Sequence, residues 1–282
     1  MQWGQWRRSQ NVEDRRGVPA RGGSVGRIGG LGMGGVLLLL ALGYFLTGDP
    51  TSLLQTDGAP VSPAPSGPTG TPSDEPARMV SAILGDTEDV WTQVFSGANR
   101  RYQPPMLVLF SDAVDSACGT NSASVGPFYC PADRKVYIDM SFYQELERRF
   151  GAPGDFAQAY VIAHEVGHHV QNLLGVFERV RTERSRGADA NALSVRQELQ
   201  ADCFAGVWGH SAAARGTLDP GDVEEGLNAA AAIGDDRIQR RTQGQITPES
   251  WTHGSSEQRV RWFRTGLQSG DVSACDTFGQ RE

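Results

Sequence analysis

Apolar residues recur every three to four positions through most of the chain beyond residue 78, which is the spacing of helices with one buried face. Short runs rich in branched and aromatic residues interrupt this pattern and are typical of strands. The predicted strands are Met106–Phe110, Phe128–Cys130 and Lys135–Asp139, with a hairpin turn at 131–134. The predicted helices cover 79–95, 141–150, 159–174, 177–186, 192–214, 220–233 and 255–267. Ser141 and Asp155 are expected to cap the second and third helices. The pattern indicates an α+β domain in which a small sheet is followed by helices.

The helix predicted at 159–174 contains the motif His164-Glu-Val-Gly-His168. Residues i and i+4 share one face of a helix, so His164 and His168 can place two imidazole nitrogens on one zinc ion. Glu165 can reach a water bound to that metal, and this arrangement hydrolyses peptide bonds. The alternative is a solvent-facing helix with two histidines, which the apolar surroundings of the motif disfavour. His169 points about 140° away from His164, so packing is expected for it rather than metal binding.

A second predicted helix carries a pair of carboxylates. Catalytic zinc usually has three protein ligands and a water, so two histidines are not enough. Glu198 and Asp202 are four residues apart and share one face of the helix at 192–214. One carboxylate can bind the metal, and the other can accept the second N–H of a ligand histidine. The alternative is an acidic stripe on a solvated face, which the upstream histidine motif disfavours.

The two motifs together, H-E-x-x-H and then Glu198-Leu-Gln-Ala-Asp202, resemble those of the gluzincin metallopeptidases. The wider sequence from about residue 79 to about residue 278 is similar to the bacterial family called putative neutral zinc metallopeptidases. This resemblance implies that one zinc ion is bound by His164, His168 and Glu198. It also implies that Glu165 is the general base and that Asp202 is the hydrogen-bond partner of His164.

Two further expectations depend on resemblance. Thr252-His253-Gly254 resembles the Thr-His-Pro segment of certain membrane-linked zinc peptidases, which implies that His253 lies near the active site. There it would donate a hydrogen bond to the oxyanion or close the zinc site as a ligand, and a turn residue before a helix is the alternative. Gluzincins also hold the substrate by backbone pairing along an edge strand, for which Lys135–Asp139 is the expected strand.

An uncharged stretch precedes the domain. Residues 28–46 carry no charge and are long enough to span a bilayer as one helix. Arginines predominate in residues 1–27, which predicts a cytoplasmic N-terminus and an extracytoplasmic domain at 79–282. A cleaved signal peptide is the alternative, which the long preceding segment disfavours. Residues 47–78 are rich in Pro, Gly, Ser and Thr and are predicted to form a solvated linker.

All four cysteines lie in the part of the chain that is expected outside the cytoplasm, where disulfides persist. Cys118 and Cys130 bracket a loop rich in Gly, Ser and Asn and are predicted to pair, which leaves Cys203 with Cys275. Other pairings and buried free thiols are the alternatives. The net charge of −7 argues against a nucleic-acid partner.

These observations predict a membrane-anchored zinc endopeptidase that acts on peptides or proteins outside the cytoplasm. The first alternative is a non-catalytic binding or scaffold module with a structural zinc, in which His253 or His169 supplies a fourth ligand. Glu165 favours the enzyme, because a structural site needs no base. A metal-dependent amidase of cell-wall peptides would share the chemistry and differ in substrate.

Overall fold

A computed structural model describes residues 1–18, 66–70, 72–123 and 126–279. The helices in these residues are α1 (Glu75–Gly97), α2 (Ser141–Arg148), α3 (Asp155–Leu174), α4 (Val176–Ser185), α5 (Ala190–Ala214), α6 (Asp222–Ala232), α7 (Asp235–Thr242) and α8 (Ser256–Ser269). The strands are β1 (Val12–Asp14), β2 (Met106–Phe110), β3 (Ala113–Ser116), β4 (Gly119–Ser122), β5 (Phe128–Cys130) and β6 (Lys135–Asp139). The predicted α+β class is confirmed, since small sheets and many helices make up the domain.

Each predicted helix and strand is present, with bounds that differ by a few residues. The elements missed by the sequence analysis are β1, the hairpin of β3 and β4, and α7. Strand β4 is polar and mostly exposed, and α7 has charged or polar residues at every position except Ile238, so neither shows an apolar periodicity.

Two predicted helix caps were wrong. Ser141 is the first residue of α2 rather than its cap, and its backbone N–H donates to the carboxylate of Asp139 at 2.8 Å. Asp155 is likewise the first residue of α3, and the carboxylate of Glu225 accepts the N–H of Phe156 at 3.1 Å. Glu225 lies in α6, so the partner of this helix end comes from tertiary packing that local sequence does not reveal.

The main sheet has the strand order β1-β2-β6-β5. Strands β1, β2 and β6 are parallel, and β5 is antiparallel to β6. Lys135–Asp139 therefore lies between two strands, and the prediction that it is the edge strand is wrong. The hairpin turn folds Phe128–Cys130 back onto the outer side of β6, which makes β5 the edge strand.

Residues 1–18, which precede the uncharged stretch in sequence, belong to the folded domain. Val12–Asp14 pair in parallel with residues 107–109 of β2. Met1–Pro19 and Ser66–Glu282 form one compact unit. The structure therefore differs from the predicted separate segment at 1–27 and the predicted domain start at residue 79. A strand of three residues with one apolar side chain, Val12, gives almost no sequence signal.

Arginines that the sequence analysis treated as a membrane-orientation signal are paired with carboxylates of this unit. The pairs are Arg7–Glu88, Arg7–Asp89, Arg15–Glu13, Arg16–Asp14 and Arg16–Asp74. Glu13 is buried and also accepts a hydrogen bond from Lys135 Nζ at 2.8 Å. Burial alone would raise the pKa of Glu13, but the hydrogen bonds from Arg15 and Lys135 lower it to about 2. The N-terminal strand is thus held by charged groups that are fully satisfied.

Helix α5 packs closely against α8 at positions without side chains. A Cβ on Gly206 would overlap the carbonyl oxygen of Phe263, and a Cβ on Gly266 would overlap that of Cys203. The disulfide between Cys203 and Cys275 ties the end of the chain to the same helix. It and the disulfide Cys118–Cys130 are the two pairs that the sequence analysis favoured.

The uncharged stretch at 28–46 lies outside the described residues. In the part of the chain that the structure does describe, no helix combines the length and hydropathy needed to cross a bilayer. The end of the predicted linker is helical, because α1 begins at Glu75 and Asp74 accepts the N–H of Ala77 at 3.1 Å.

Candidate metal centre and active site

The motif His164-Glu-Val-Gly-His168 lies where α3 crosses α5. At Gly167 a Cβ would be 2.9 Å from the carbonyl oxygen of Ala201 and 3.1 Å from its Cα. This close approach brings His164 and His168 of α3 against Glu198 of α5. His164 Nε2 is 3.2 Å from Glu198 Oε2, and His168 Nε2 is 3.5 Å from Glu198 Oε1. One ligand atom of each of these three residues lies within 4.8 Å of the other two.

The second nitrogen of each histidine is bonded away from this point. His164 Nδ1 donates to Asp202 Oδ1 at 2.8 Å. The amide nitrogen of Gln171 donates to a backbone carbonyl of α5, which leaves the amide oxygen facing His168. An amide oxygen can only accept, so His168 Nδ1 carries the proton and donates to Gln171 Oε1 at 2.9 Å. With the protons on Nδ1, both Nε2 atoms are available to a metal beside Glu198. Two imidazole nitrogens and one carboxylate oxygen are a donor set of catalytic zinc, so these residues fit that ion.

Asp202 is fully buried and is the centre of a polar network. Besides the bond from His164, its carboxylate accepts hydrogen bonds from the Tyr160 hydroxyl and from Arg259 Nε at 2.8 Å and Nη2 at 2.9 Å. Arg259 is itself only 2% exposed. Burial alone would raise the pKa of Asp202, but the charge of Arg259 lowers it. Asp202 therefore stays anionic and can accept a hydrogen bond from the protonated Nδ1 of His164.

Glu165 is buried in α3 next to the group formed by His164, His168 and Glu198. Burial raises the pKa of the Glu165 carboxyl, although the neighbouring histidines oppose this effect. A raised pKa makes a carboxylate a stronger proton acceptor. Glu165 therefore has the environment that a general base requires.

A cleft of about 510 Å³ opens onto these residues. Phe128 and Tyr129 of the edge strand β5 form part of its wall. Other aromatic rings of the wall are Phe142, Phe150 and Phe177. Because β5 is an edge strand and borders the cleft, an extended peptide can pair with its backbone.

His253 lines the same cleft, and its side chain is 50% exposed. Its Nδ1 is 3.2 Å from Asp235 Oδ1, while Asp235 Oδ2 accepts the backbone N–H groups of Thr252, His253 and Gly254. The hydrogen bond with Asp235 raises the pKa of His253. Within the described residues, His253 is not a member of the three-residue ligand group. It is instead a half-exposed imidazole on the wall of the cleft that Asp235 holds through Nδ1.

His169 lies outside the ligand group, on another face of α3. Its Nε2 donates to the backbone carbonyl of Gln103 at 2.6 Å, and its Nδ1 is 3.1 Å from the hydroxyl of Tyr129. It is almost completely buried, and burial lowers the pKa of His169 to about 4. Both ring nitrogens are bonded within the protein, so neither remains for a metal.

Four polar residues of the site were missed by the sequence analysis, namely Tyr160, Gln171, Asp235 and Arg259. Tyr160 precedes His164 by one helical turn, so helical spacing could have placed it on the same face. Arg259 lies among other arginines on an amphipathic helix, and nothing in the local pattern separates it from solvent-exposed ones. Its burial depends on how α8 packs against α5.

Comparison with known proteins gives consistent matches. The profile of a family described as putative neutral zinc metallopeptidase matches residues 1–278, which includes the N-terminal strand. The uncharacterized protein YpfJ of Escherichia coli K12 is 50% identical over 289 residues, with 99% of each chain covered. The uncharacterized protein Rv2575 of Mycobacterium tuberculosis is 45% identical over 222 residues, covering 74% of this chain and 73% of that protein. No solved structure gives a significant match.

We expect Arg259→Met to destabilise the metal-free domain by about 3–5 kcal/mol at neutral pH, because it removes the guanidinium partner of the buried Asp202 and leaves only the hydrogen bonds from Tyr160 and His164. In the wild type the pKa of Asp202 is lowered, so this group's stabilisation is lost as the pH falls through the folded-state pKa. The variant lacks the charge of Arg259, so the pKa of Asp202 is higher than in the wild type and less stability is lost on acidification. Urea unfolding in EDTA should therefore show a smaller difference at about pH 4.5 than at about pH 7.5.

Arg264→Met is the matched control, because Arg264 is exposed on the same helix. Its effect should stay within about 0.5 kcal/mol at both pH values. A difference between Arg259→Met and the wild type that widens on acidification would contradict the assigned pairing.

Proposed function

Because the chain belongs to the family described as putative neutral zinc metallopeptidases, we propose that it is an endopeptidase that uses one zinc ion. The family supplies the coarse assignment, a zinc metallopeptidase. The observation that carries the finer proposal is the group of His164, His168 and Glu198 beside the buried Glu165, in a cleft bordered by an edge strand. This combination provides ligands for a metal, a base and a surface for an extended peptide.

His164, His168 and Glu198 would hold the zinc, which when bound polarises the scissile carbonyl and acidifies a water molecule. Glu165 takes the proton from that water and later passes it to the leaving amine. Asp202 keeps the proton of His164 on Nδ1, so that Nε2 faces the metal position.

His253, which lines the cleft, supports the reaction as a hydrogen-bond donor. Asp235 fixes the turn at 252–254 through backbone hydrogen bonds. It also accepts a hydrogen bond from the Nδ1–H group of His253. The hydrogen bond with Asp235 raises the pKa of His253 and so favours the imidazolium form, in which both ring nitrogens carry a proton. The Nε2–H group of this form donates to the oxyanion that develops on the scissile carbonyl. The substrate backbone pairs with β5, and the rings of Phe142 and Phe150 contact its side chains.

A structural zinc in a non-catalytic module is the alternative. Structural zinc usually has four protein ligands. The ligand group found among the described residues has three members. Of the two candidate fourth ligands, His169 is bonded elsewhere through both ring nitrogens, and His253 is not a member of this group. A structural site also has no need of a buried carboxylate such as Glu165. These observations favour the enzyme.

We also propose that the domain lies outside the cytoplasm, where its two disulfides would persist. The pairing of β1 with β2 supports a common location for residues 1–18 and the rest of the domain. A single crossing at 28–46 with a cytoplasmic N-terminus would separate these two strands. The proposal is therefore membrane attachment in which both flanks of residues 20–65 lie on the outer side.

Glu165→Gln should keep one zinc per chain but lose turnover by about 10²–10⁴-fold, because an amide cannot accept the proton. His168→Ala should instead lose the zinc, since it removes a ligand. Zinc content is measured by plasma mass spectrometry, and hydrolysis is followed on fluorescein-labelled casein and on cell-wall muropeptides. Normal hydrolysis by Glu165→Gln would exclude it as the base. Hydrolysis of muropeptides alone would identify the amidase.

His253→Ala should leave the zinc content intact and lower kcat by about 10²–10³-fold, as expected for the loss of one oxyanion donor. The control is His210→Ala, because His210 lies on α5 and its Nδ1 donates to the carbonyl of Leu267. Turnover should be unaffected in this control. A wild-type kcat in His253→Ala would reduce His253 to a turn residue, and an increased kcat would identify it as an inhibitory ligand.

Single cysteines at the exposed positions Gln5 and Gln268 test the location of the two parts of the domain. A membrane-impermeant maleimide should label Gln5→Cys and Gln268→Cys equally in intact cells or spheroplasts, because β1 keeps the N-terminal segment with the domain. Labelling of Gln268→Cys alone, with Gln5→Cys reacting only after permeabilisation, would restore the single crossing. Labelling of neither before permeabilisation would place both parts in the cytoplasm.

A further inference from the structure

The side chain of Tyr129 connects the edge strand β5 to α3, the helix that carries His164 and His168. Successive residues of a strand point to opposite faces. Phe128 stacks on Tyr137 of β6 with ring centroids 4.7 Å apart, and Cys130 is bonded to Cys118. The residue between them, Tyr129, points to the other face and contacts α3.

The Tyr129 hydroxyl is held by two residues of α3. Asn172 Nδ2 donates to it at 2.8 Å, and its own O–H donates to His169 Nδ1 at 3.1 Å. The direction of the second bond follows from the other side of the imidazole. There Nε2 faces the carbonyl oxygen of Gln103 at 2.6 Å, and because a carbonyl can only accept, Nε2 carries the proton. The donors and acceptors therefore match along the whole chain of hydrogen bonds, which runs from Asn172 through the Tyr129 hydroxyl and the His169 ring to the carbonyl of Gln103.

This connection fixes β5 relative to the metal ligands. His169 and Asn172 follow His168 by one and by four residues on the same helix, so their positions are set by the helix that carries two ligands. A peptide paired with β5 takes its position from that strand. A strand that is already held in the position that the bound peptide requires lowers the entropy cost of pairing, so this connection affects how tightly an extended substrate binds.

We infer that Tyr129, His169 and Asn172 form a clasp that positions the substrate-binding strand at a fixed distance from the metal centre. The inference rests on the proposed function, because it assigns β5 to the substrate. The three residues act through β5 and are positioning residues. They transfer no proton and bind no metal.

The test is Tyr129→Phe, which keeps the ring and removes the hydroxyl. Zinc content should not change. The apparent KM for fluorescein-labelled α-casein should rise about tenfold, because the loosened strand pairs less well with an extended chain, while kcat stays within about twofold. A furylacryloyl dipeptide amide is too short to pair along β5, so its hydrolysis should change by less than about twofold. A merely structural defect would instead lower kcat for both substrates and leave KM unchanged.

Tyr102→Phe is the matched control. The Tyr102 ring packs edge-on against the His169 ring, with ring centroids 5.9 Å apart. Its hydroxyl is buried and has no hydrogen-bond partner among the described residues. Removal of this hydroxyl breaks no bond, so KM for casein should equal the wild-type value. Amide hydrogen exchange gives a readout besides activity. Residues 128–130 should exchange faster in Tyr129→Phe and at the wild-type rate in Tyr102→Phe.

Two failures are distinguishable. A wild-type protein that hydrolyses neither substrate would overturn the proposed function and this inference with it. An active wild type together with an unchanged casein KM in Tyr129→Phe would overturn the inference alone. His169→Gln provides a second variant, because glutamine keeps one donor and one acceptor. It should retain a lower casein KM than His169→Leu, and equal values for the two would contradict the clasp.

Discussion

The close crossing of α3 and α5 is the constraint on which the site depends. Gly167 lies between the two ligand histidines, and it meets Ala201, which lies between Glu198 and Asp202. A side chain at Gly167 would force the helices apart at the centre of the ligand group. Because the helices touch there, the carboxylate on one side of the crossing reaches both histidines, and the carboxylate on the other side reaches the outer nitrogen of His164. The distance between backbones thus decides whether the metal-binding residues can meet.

Close packing also buries charge, and buried charge must be paired. Asp202 is enclosed between α3, α5 and α8, where it is bonded to Tyr160, His164 and Arg259. Arg259 reaches this place because Gly206 and Gly266 allow α8 to approach α5. Each member of the network is hydrogen-bonded to a residue of another helix. The orientation of His164 is therefore linked to the packing of the domain. This arrangement holds the site on rigid elements rather than on loops.

Spacing in the sequence predicts contacts within one helix better than contacts between helices. The sequence alone places two pairs of residues on one helix face each, because the members of each pair are one turn apart: His164 with His168, and Glu198 with Asp202. The buried position of Arg259 depends on the packing of α8, which no local pattern shows. Strand β1 is a similar case, because Val12 pairs with Leu107, a residue far along the chain. The edge strand was misassigned since proximity in sequence does not reveal which side of a hairpin faces outward.

The two edges of the main sheet are used differently, and this difference defines the cleft. An exposed edge strand offers unpaired backbone groups to other chains unless it is covered. The outer edge of β1 is covered by residues 66–70, since the N–H of Asp14 donates to the carbonyl of Pro68 and the N–H of Gly70 donates to that of Val12. Strand β5 forms the other edge and lines the cleft. The N-terminal strand and the segment that follows residue 65 therefore cover one edge, and the edge left for an extended peptide is the one beside the metal centre. Under the proposed function, residues distant in sequence from the His164–His168 motif would direct a substrate strand towards it.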